Sequence, residues 1–224
     1  RAAALDHEMR SRREARFAAD REAYRAASDV AAGEWSGPGA HPGRILAMLR
    51  AALPDNATIT TDAGNLAGFV SRGFRFRRAG TFLGATSGTM GYGLPAAIAA
   101  SLMDPDRIAV ALCGDGGFAA TMNELETAVR EGAHPIAVVF DNERYGTIAG
   151  QQLKDGRPTR STNLGAIDFA AVARAHGALG FTVEDDAGFE TSLREAITSR
   201  LASVIHVKVD RAWLSADEHP LSGS

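Results

Sequence analysis

The sequence predicts an α/β domain, a doubly wound parallel sheet with helices on both faces. Two observations come from the strands. Ile108–Cys113 and Ile136–Phe140 are continuous apolar runs, too short for stable helices and of the kind found in strands buried on both sides. A third observation is the order of elements. Helical and strand-like segments alternate from His41 onward, the pattern of parallel strands joined by helical crossovers.

The elements follow in chain order. Residues 1–40 are dominated by Arg, Ala and Glu, with Leu5, Met9, Phe17 and Tyr24 thinly spaced. They read as a helical connector from an upstream domain or as a plain surface helix, ending in the turn-rich stretch Gly33–Gly39. The domain proper is expected over 41–212, and 213–224 is read as a C-terminal tail. Residues 42–52 place Ile45, Leu46 and Leu49 on one helical face. Ala57–Thr61 is a short β-branched strand, and Leu94–Met103 an apolar helix. Glu124–Arg130 is helical, and the spacing of Thr121 and Glu124 predicts a capping box. Phe169–Ala175 is a helix stopped by Gly177. Phe181–Val183 and Val204–Val209 complete the strands, with a helix around Leu193–Leu201 between them.

Composition narrows the function. A net charge of −3 argues against a dedicated nucleic-acid binder, so Arg72, Arg75, Arg77 and Arg78, interleaved with Phe74 and Phe76, read as a surface or interface edge. Cys113 is the only cysteine, which rules out an intrachain disulfide and suits a reducing cytosol. The six histidines lack metal-ligand spacing and are read as structural or solvated. No apolar run reaches membrane-spanning length and the start has no signal-peptide pattern, so a cytoplasmic protein is expected. The chain begins at Arg1 rather than Met, as an excised piece of a longer protein would.

In doubly wound sheets, ligands bind at the carboxyl ends of the strands. Two ends carry chemistry here. Ile108–Cys113 runs into Gly114-Asp115-Gly116-Gly117, and Ile136–Phe140 runs into Asp141-Asn142-Glu143-Arg144-Tyr145-Gly146. Asp115 places a carboxylate just past a buried strand. Gly116 and Gly117 let a ligand approach the backbone N–H groups, and the helix after them favours an anion. That combination suits a phosphate and a divalent cation together. Mg²⁺ takes oxygen ligands in octahedral geometry at about 2.0–2.1 Å, usually one or two protein carboxylates with phosphate oxygens and water. Asp115, the Asn142 amide oxygen and the Arg144 carbonyl are the candidate protein ligands.

Gly114-Asp115-Gly116, with Asn142 following Asp115 by 27 positions, resembles the motif of thiamine-diphosphate-dependent enzymes. Gly88-Thr89-Met90-Gly91-Tyr92-Gly93-Leu94-Pro95-Ala96-Ala97 resembles the pyrimidine-side segment of the acetolactate synthase and 2-oxo acid decarboxylase branch. The resemblance spans roughly His41 to Asp210 and implies the C-terminal, diphosphate-binding domain. It implies that Mg²⁺ is held by Asp115, Asn142 and the Arg144 carbonyl, and that Gly116 and Gly117 cradle the diphosphate. Met90 would prop the bent cofactor, the Gly88 carbonyl would accept from its 4′-amino group, and Asn65 would lie near the diphosphate. Gly146, Thr147 and Ile148 would belong to the cofactor site, with 147–152 over the thiazolium.

The cofactor would carry the chemistry, attacking a 2-oxo acid through its thiazolium C2. The glutamate that activates it resides, in the family, in a separate pyrimidine domain that has no counterpart here. No catalytic residue is therefore expected in this chain, which would be inactive alone. A pyrimidine domain of the same or another chain is the expected partner, in a homo-oligomer such as a dimer. One departure bears on substrate. Acetolactate synthases carry Gln-Trp-Gln where this chain has Gly150-Gln151-Gln152, which leaves decarboxylase and ligase open. Gln151 and Gln152 are either substrate-facing or solvent-exposed. A non-catalytic regulatory module that keeps the cofactor pocket is the alternative.

Overall fold

The computed structural model describes residues 7–30 and 37–212. The tail expected for 213–224, and Gly33–Ser36 of the turn-rich stretch, lie outside the described residues. The chain runs through α1 (His7–Ala27), α2 (Pro42–Ala52), β1 (Thr58–Thr61), α3 (Asn65–Gly73), β2 (Phe82–Gly84) and α4 (Gly93–Met103). It continues through β3 (Ala109–Gly114), α5 (Asp115–Thr121), a 3₁₀ turn (Met122–Glu124), α6 (Leu125–Arg130), β4 (Ile136–Asp141) and α7 (Gly146–Lys154). The last elements are α8 (Phe169–Ala175), β5 (Leu179–Val183), α9 (Asp186–Ser199) and β6 (Ser203–Lys208).

The six strands form one sheet in the order β2-β1-β3-β4-β6-β5, and every pairing is parallel. The doubly wound fold expected from the sequence is present. Alternate residues of each central strand feed separate cores. Val110 and Leu112 of β3, with Ile136, Val138 and Phe140 of β4, meet Ile45, Leu46, Leu49, Phe69, Phe189 and Leu193 from α2, α3 and α9. Ala109, Ala111 and Cys113 of β3, with Ala137 and Val139 of β4, meet Leu94, Ile98, Phe118, Leu125 and Phe169 on the other side. Period-two alternation sends successive side chains to opposite faces, so one short apolar run supplies both cores. The second face is lined by smaller residues, which lets its helices approach closely. A methyl group at Gly180 on β5 would lie 2.0 Å from the Ala170 carbonyl oxygen of α8.

Several expectations are corrected. The capping box at Thr121 and Glu124 does not form. Thr121 has φ −135° and ψ 12°, and makes no side-chain cap hydrogen bond. The chain first makes the 3₁₀ turn, so Glu124 stands ahead of α6 rather than inside its first turn, and its carboxylate accepts from Thr127 Oγ1 at 2.7 Å. The helix placed around Leu193–Leu201 begins at Asp186, where the Asp185 side chain accepts from the Gly188 N–H, and ends at Ser199. Helices α3 and α7 and edge strand β2 were not anticipated. Helix α1 is solvent-exposed from Met9 to Ala27. The Arg75 guanidinium lies 5.2 Å over the Tyr24 ring, and Val30 packs against the first core. Among the described residues, no helix is long and apolar enough to cross a membrane.

Gly180→Ala should lower unfolding stability by about 2 kcal/mol or more, because the obstacle is backbone and cannot step aside. Gly165→Ala, where an added methyl meets nothing within 4 Å, should stay within about 0.5 kcal/mol of the parent. Urea unfolding of the two variants checks the pair.

Candidate functional site

Strand order places β1 and β3 side by side although the chain leaves them in opposite directions, β1 towards β2 and β3 towards β4. Crossovers diverge at such a switch point and leave a crevice beyond the carboxyl ends of the strands. A cavity of about 290 Å³ opens there. Asp115, Gly116 and Gly117 line it from the β3 tip, and Asn142, Arg144, Gly146, Thr147 and Ile148 from the β4 tip and the start of α7. Asn65 lines it from the β1 side, and Gly88 and Met90 from the segment before α4. Every site residue expected from the sequence faces this one space.

Asp115 ties the two central tips together. It is the first residue of α5 and is buried. Its Oδ1 accepts from the Gly116 N–H at 2.7 Å and its Oδ2 from the Arg144 N–H at 3.1 Å. Burial pushes its pKa up to about 7; the two N–H donors oppose the shift and the Asp141 carboxylate adds to it. A carboxylate accepts more than two hydrogen bonds, so lone pairs remain for a cation. A cation would also relieve the cost of holding this charge in place.

Arg144 is pinned at its backbone. Its N–H is taken by Asp115, and it forms an isolated antiparallel bridge with Asn163. That bridge uses the Glu143 carbonyl, accepting from Leu164, and the Tyr145 N–H, donating to Thr162. No hydrogen bond reaches the Arg144 carbonyl among the described residues. The residue lines the cavity, and burial and the nearby Arg211 lower its pKa.

A charged network that was not anticipated lies beneath the β4 tip. The Asp141 carboxylate is buried, and its Oδ2 accepts from His206 Nε2 at 2.7 Å and from Lys208 Nζ at 2.6 Å. Its Oδ1 accepts from the Glu143 N–H at 2.9 Å, which fixes the turn that carries Asn142. Burial alone would raise the Asp141 pKa. The donors His206, Lys208 and Glu143 outweigh it, and the group is held well below the usual carboxylate range. The signal was in the sequence, as Asp141 at one strand end and His206 and Lys208 on the neighbouring strand. Only the β4–β6 pairing joins them.

Asp62 is the second residue missed. It is buried at the β1 tip, and its Oδ1 accepts from the Gly93 N–H at 2.6 Å. Thr60 Oγ1 donates to the Gly93 carbonyl at 2.7 Å. Together they hold the start of α4, and with it the segment carrying Gly88 and Met90. Burial raises the Asp62 pKa against these N–H donors.

The structure also revises why Gly116 and Gly117 are glycine. A methyl at Gly116 would lie 2.4 Å from the Tyr145 ring, and one at Gly117 would lie 2.2 Å from Asp62 Oδ2. Internal packing requires bare Cα atoms at both positions. The Gly116 N–H, expected to face a ligand, is used by Asp115. Gly88 has φ +65° and open space on its Cα.

Residues 147–152 divide. Thr147 Oγ1 donates to Asn65 Oδ1 at 3.0 Å, bridging α7 and the β1 tip, and Ile148 is exposed at the cavity. Gln152 pairs with the Arg160 backbone, accepting its N–H at 2.8 Å, so its amide holds the following loop. Gln151 is exposed and donates to Asp155. The Arg75 and Arg77 guanidiniums are engaged by the Arg72 carbonyl and by Asp55. No cluster of three or more His, Cys, Asp or Glu side chains suited to a metal is present among the described residues. A hard-oxygen set of one carboxylate, one amide and one carbonyl is a different kind of site and fits Mg²⁺ rather than zinc.

The fold is a doubly wound α/β domain whose switch-point crevice is lined by an Asp-Gly-Gly turn and an Asn-bearing turn. Residues 62–207 match the family model described as "Thiamine pyrophosphate enzyme, C-terminal TPP binding domain", and the chain belongs to that family. It is 36% identical over 200 residues to the acetolactate synthase of Bacillus subtilis (strain 168), covering 88% of this chain and 35% of that protein. The fold is similar to Rhodococcus jostii RHA1 thiamine diphosphate-dependent 4-hydroxybenzoylformate decarboxylase, with a TM-score of 0.75, 26% identity, and 80% of this chain and 34% of that one covered. It is also similar to benzoylformate decarboxylase from Polynucleobacter necessarius, with a TM-score of 0.71, 28% identity, and coverage of 76% and 33%. The chain spans about a third of the length of these relatives.

The raised pKa of Asp115 fixes a pH dependence. The folded protein keeps this proton up to about pH 7, whereas an unfolded aspartate releases it near about pH 3.9. The group's contribution is therefore complete below about pH 4 and is lost as pH rises through about 7. Without metal, stability should fall across that window, and Asp115→Asn should flatten the fall. Urea unfolding from pH 4 to 8 in chelator measures it.

Proposed function

We propose that this chain binds the diphosphate of thiamine diphosphate through Mg²⁺, as the C-terminal domain, over 41–212, of an enzyme that decarboxylates or ligates 2-oxo acids. The observation that carries it is the meeting of Asp115 and Asn142 at adjacent strand tips on one cavity, with the Arg144 carbonyl lacking a hydrogen bond among the described residues. Asp115, Asn142 and that carbonyl hold the metal. The cofactor supplies a nucleophilic carbon and an electron sink when bound. The protein holds, orients and shields it.

The cavity lining combines polar residues, Asp115, Asn142 and Arg144, with apolar ones, Met90 and Ile148. The polar residues suit the diphosphate. The Met90 side chain supports the ring system, the Gly88 carbonyl receives the 4′-amino group, and the 2-oxo acid approaches past Ile148. Asn65 and Thr147, already hydrogen-bonded to each other, cross from β1 to α7 beside the cofactor.

Met90, Tyr92, Tyr145 and Ile148 are each more than a third exposed. Apolar side chains bare beside a cofactor pocket favour a covering domain. A pyrimidine domain of the same or another chain fills that role, contributes the activating glutamate, and makes a homo-oligomer such as a dimer the working form. The domain alone is inactive. A single buried thiol and an ordinary charge balance suit a reducing cytosol. The intact ligand pair favours an enzyme over a non-catalytic module, whose metal ligands would be free to degrade.

Calorimetry of the intact protein tests the assignment. Thiamine diphosphate should bind only with Mg²⁺, and Asp115→Ala or Asn142→Ala should weaken it by about a hundredfold or more for the carboxylate and less for the amide. Binding indifferent to metal and to both substitutions contradicts the site. Product analysis with pyruvate and benzoylformate then separates aldehyde release from ligation.

A further inference from the structure

We propose that the Arg144 side chain is itself a ligand of the cofactor's diphosphate, a second cation built into the protein beside the metal. This rests on the cofactor assignment above but assigns a group that it leaves unused. There, Arg144 contributes only its backbone carbonyl.

Four observations converge. Arg144 lines the cavity, and in the chain it stands between Asn142 and the start of α7. Its Nε is buried and has no hydrogen-bond partner among the described residues. A buried guanidinium N–H without an acceptor is costly, more so on a charged group than on a neutral one. The carboxylates around it are committed elsewhere: Asp115 accepts backbone N–H groups, Asp141 is held by His206 and Lys208, and Glu143 pairs with Arg211 at 3.2 Å. Finally, its backbone is pinned on both sides, by Asp115 and by the bridge to Asn163, so the stem starts from a fixed place.

These features describe a cation set out for an anion that the protein does not supply. Charge balance points the same way. One divalent cation, with one of its charges already answered by Asp115, does not neutralise a diphosphate tail. A planar fork of N–H donors matches phosphate oxygens two at a time, which a lysine cannot do. The substrate carboxylate is the weaker choice, because the Arg144 N–H is held on Asp115, the proposed metal ligand, which sets this residue beside the diphosphate site. Arg144 thus serves twice, its carbonyl on the metal and its guanidinium on the phosphates.

The test separates the two roles, since substitution of the side chain leaves the carbonyl in place. In the intact protein at saturating Mg²⁺, Arg144→Gln should weaken thiamine diphosphate about tenfold or more. Binding should still require Mg²⁺, and its loss with rising ionic strength should become shallower. Arg144→Lys keeps the charge, so its ionic-strength slope should match wild type while affinity falls by about threefold or more. The lysine variant carries the test if the glutamine variant does not fold. Asp115→Asn is the control for the underlying assignment. If wild type shows no metal-dependent binding, or Asp115→Asn leaves it unchanged, the cofactor assignment has failed. If both behave as expected but the Arg144 variants bind within twofold of wild type, the assignment stands and the role of the Arg144 side chain is overturned.

Discussion

The Asp115 carboxylate joins the tips of the two central strands, and the rest of the site is arranged around it. One oxygen accepts from the residue after it and the other reaches across to the Arg144 N–H beyond β4. Held in this way, the turn after β3 and the turn after β4 become one wall. The carboxylate is expensive where it stands: it is buried, lies near a second carboxylate and has no side-chain cation of its own among the described residues. Local strain or unfavourable charge of this kind persists only where the surroundings determine it strongly. Here the parallel pairing of β3 with β4 and the network under Asp141 do so.

The two neighbouring aspartates show how surroundings set chemistry. Asp141 receives His206, Lys208 and a backbone N–H, and is held as an anion. Asp115 is buried, receives backbone N–H groups from Gly116 and Arg144 and faces the Asp141 carboxylate, and is left prone to protonation. One carboxylate is satisfied by the protein, and the other is the one proposed to take Mg²⁺. Environments that push adjacent carboxylates apart mark functional sites more often than chance placement does. Asp62 adds a third buried carboxylate at the β1 tip, spent on anchoring the start of α4. Three strand tips thus carry acidic groups, of which Asp115 lines the crevice while Asp141 and Asp62 brace the turns beside it.

Much of this was legible in the sequence, and the reasons for the rest are physical. Strands β3 and β4 could be read because a strand buried on both faces must be apolar throughout. Asp115 and Asn142 could be read because a Gly-Asp-Gly turn after a buried strand, an Asn 27 positions later and the Gly88–Ala97 segment occur together. Helices α3 and α7 were missed because Gly68 and Gly150 interrupt their apolar pattern and docking, rather than propensity, holds them. Strand β2 is three residues at an edge with Phe82 and Leu83 exposed, too short for alternation to register. The Thr121–Glu124 spacing matched a cap, but a 3₁₀ turn moved the helix start past it. Gly116 and Gly117 were read as openings for a ligand, while the packing of Tyr145 and Asp62 also requires them. The Asp141–His206–Lys208 network depends on strand order, which no local pattern encodes.

The central claim is that two strand tips share one cation and that this cation grips a diphosphate. Electron paramagnetic resonance of Mn²⁺ in place of Mg²⁺ reads that geometry directly. With thiamine diphosphate present, the bound manganese should show phosphorus-31 hyperfine coupling, and ¹⁵N labelling should reveal no directly bonded nitrogen, as expected for oxygen ligation by Asp115, Asn142 and Arg144. Manganese bound without phosphorus coupling, or bound equally well after Asp115→Ala, would contradict the account.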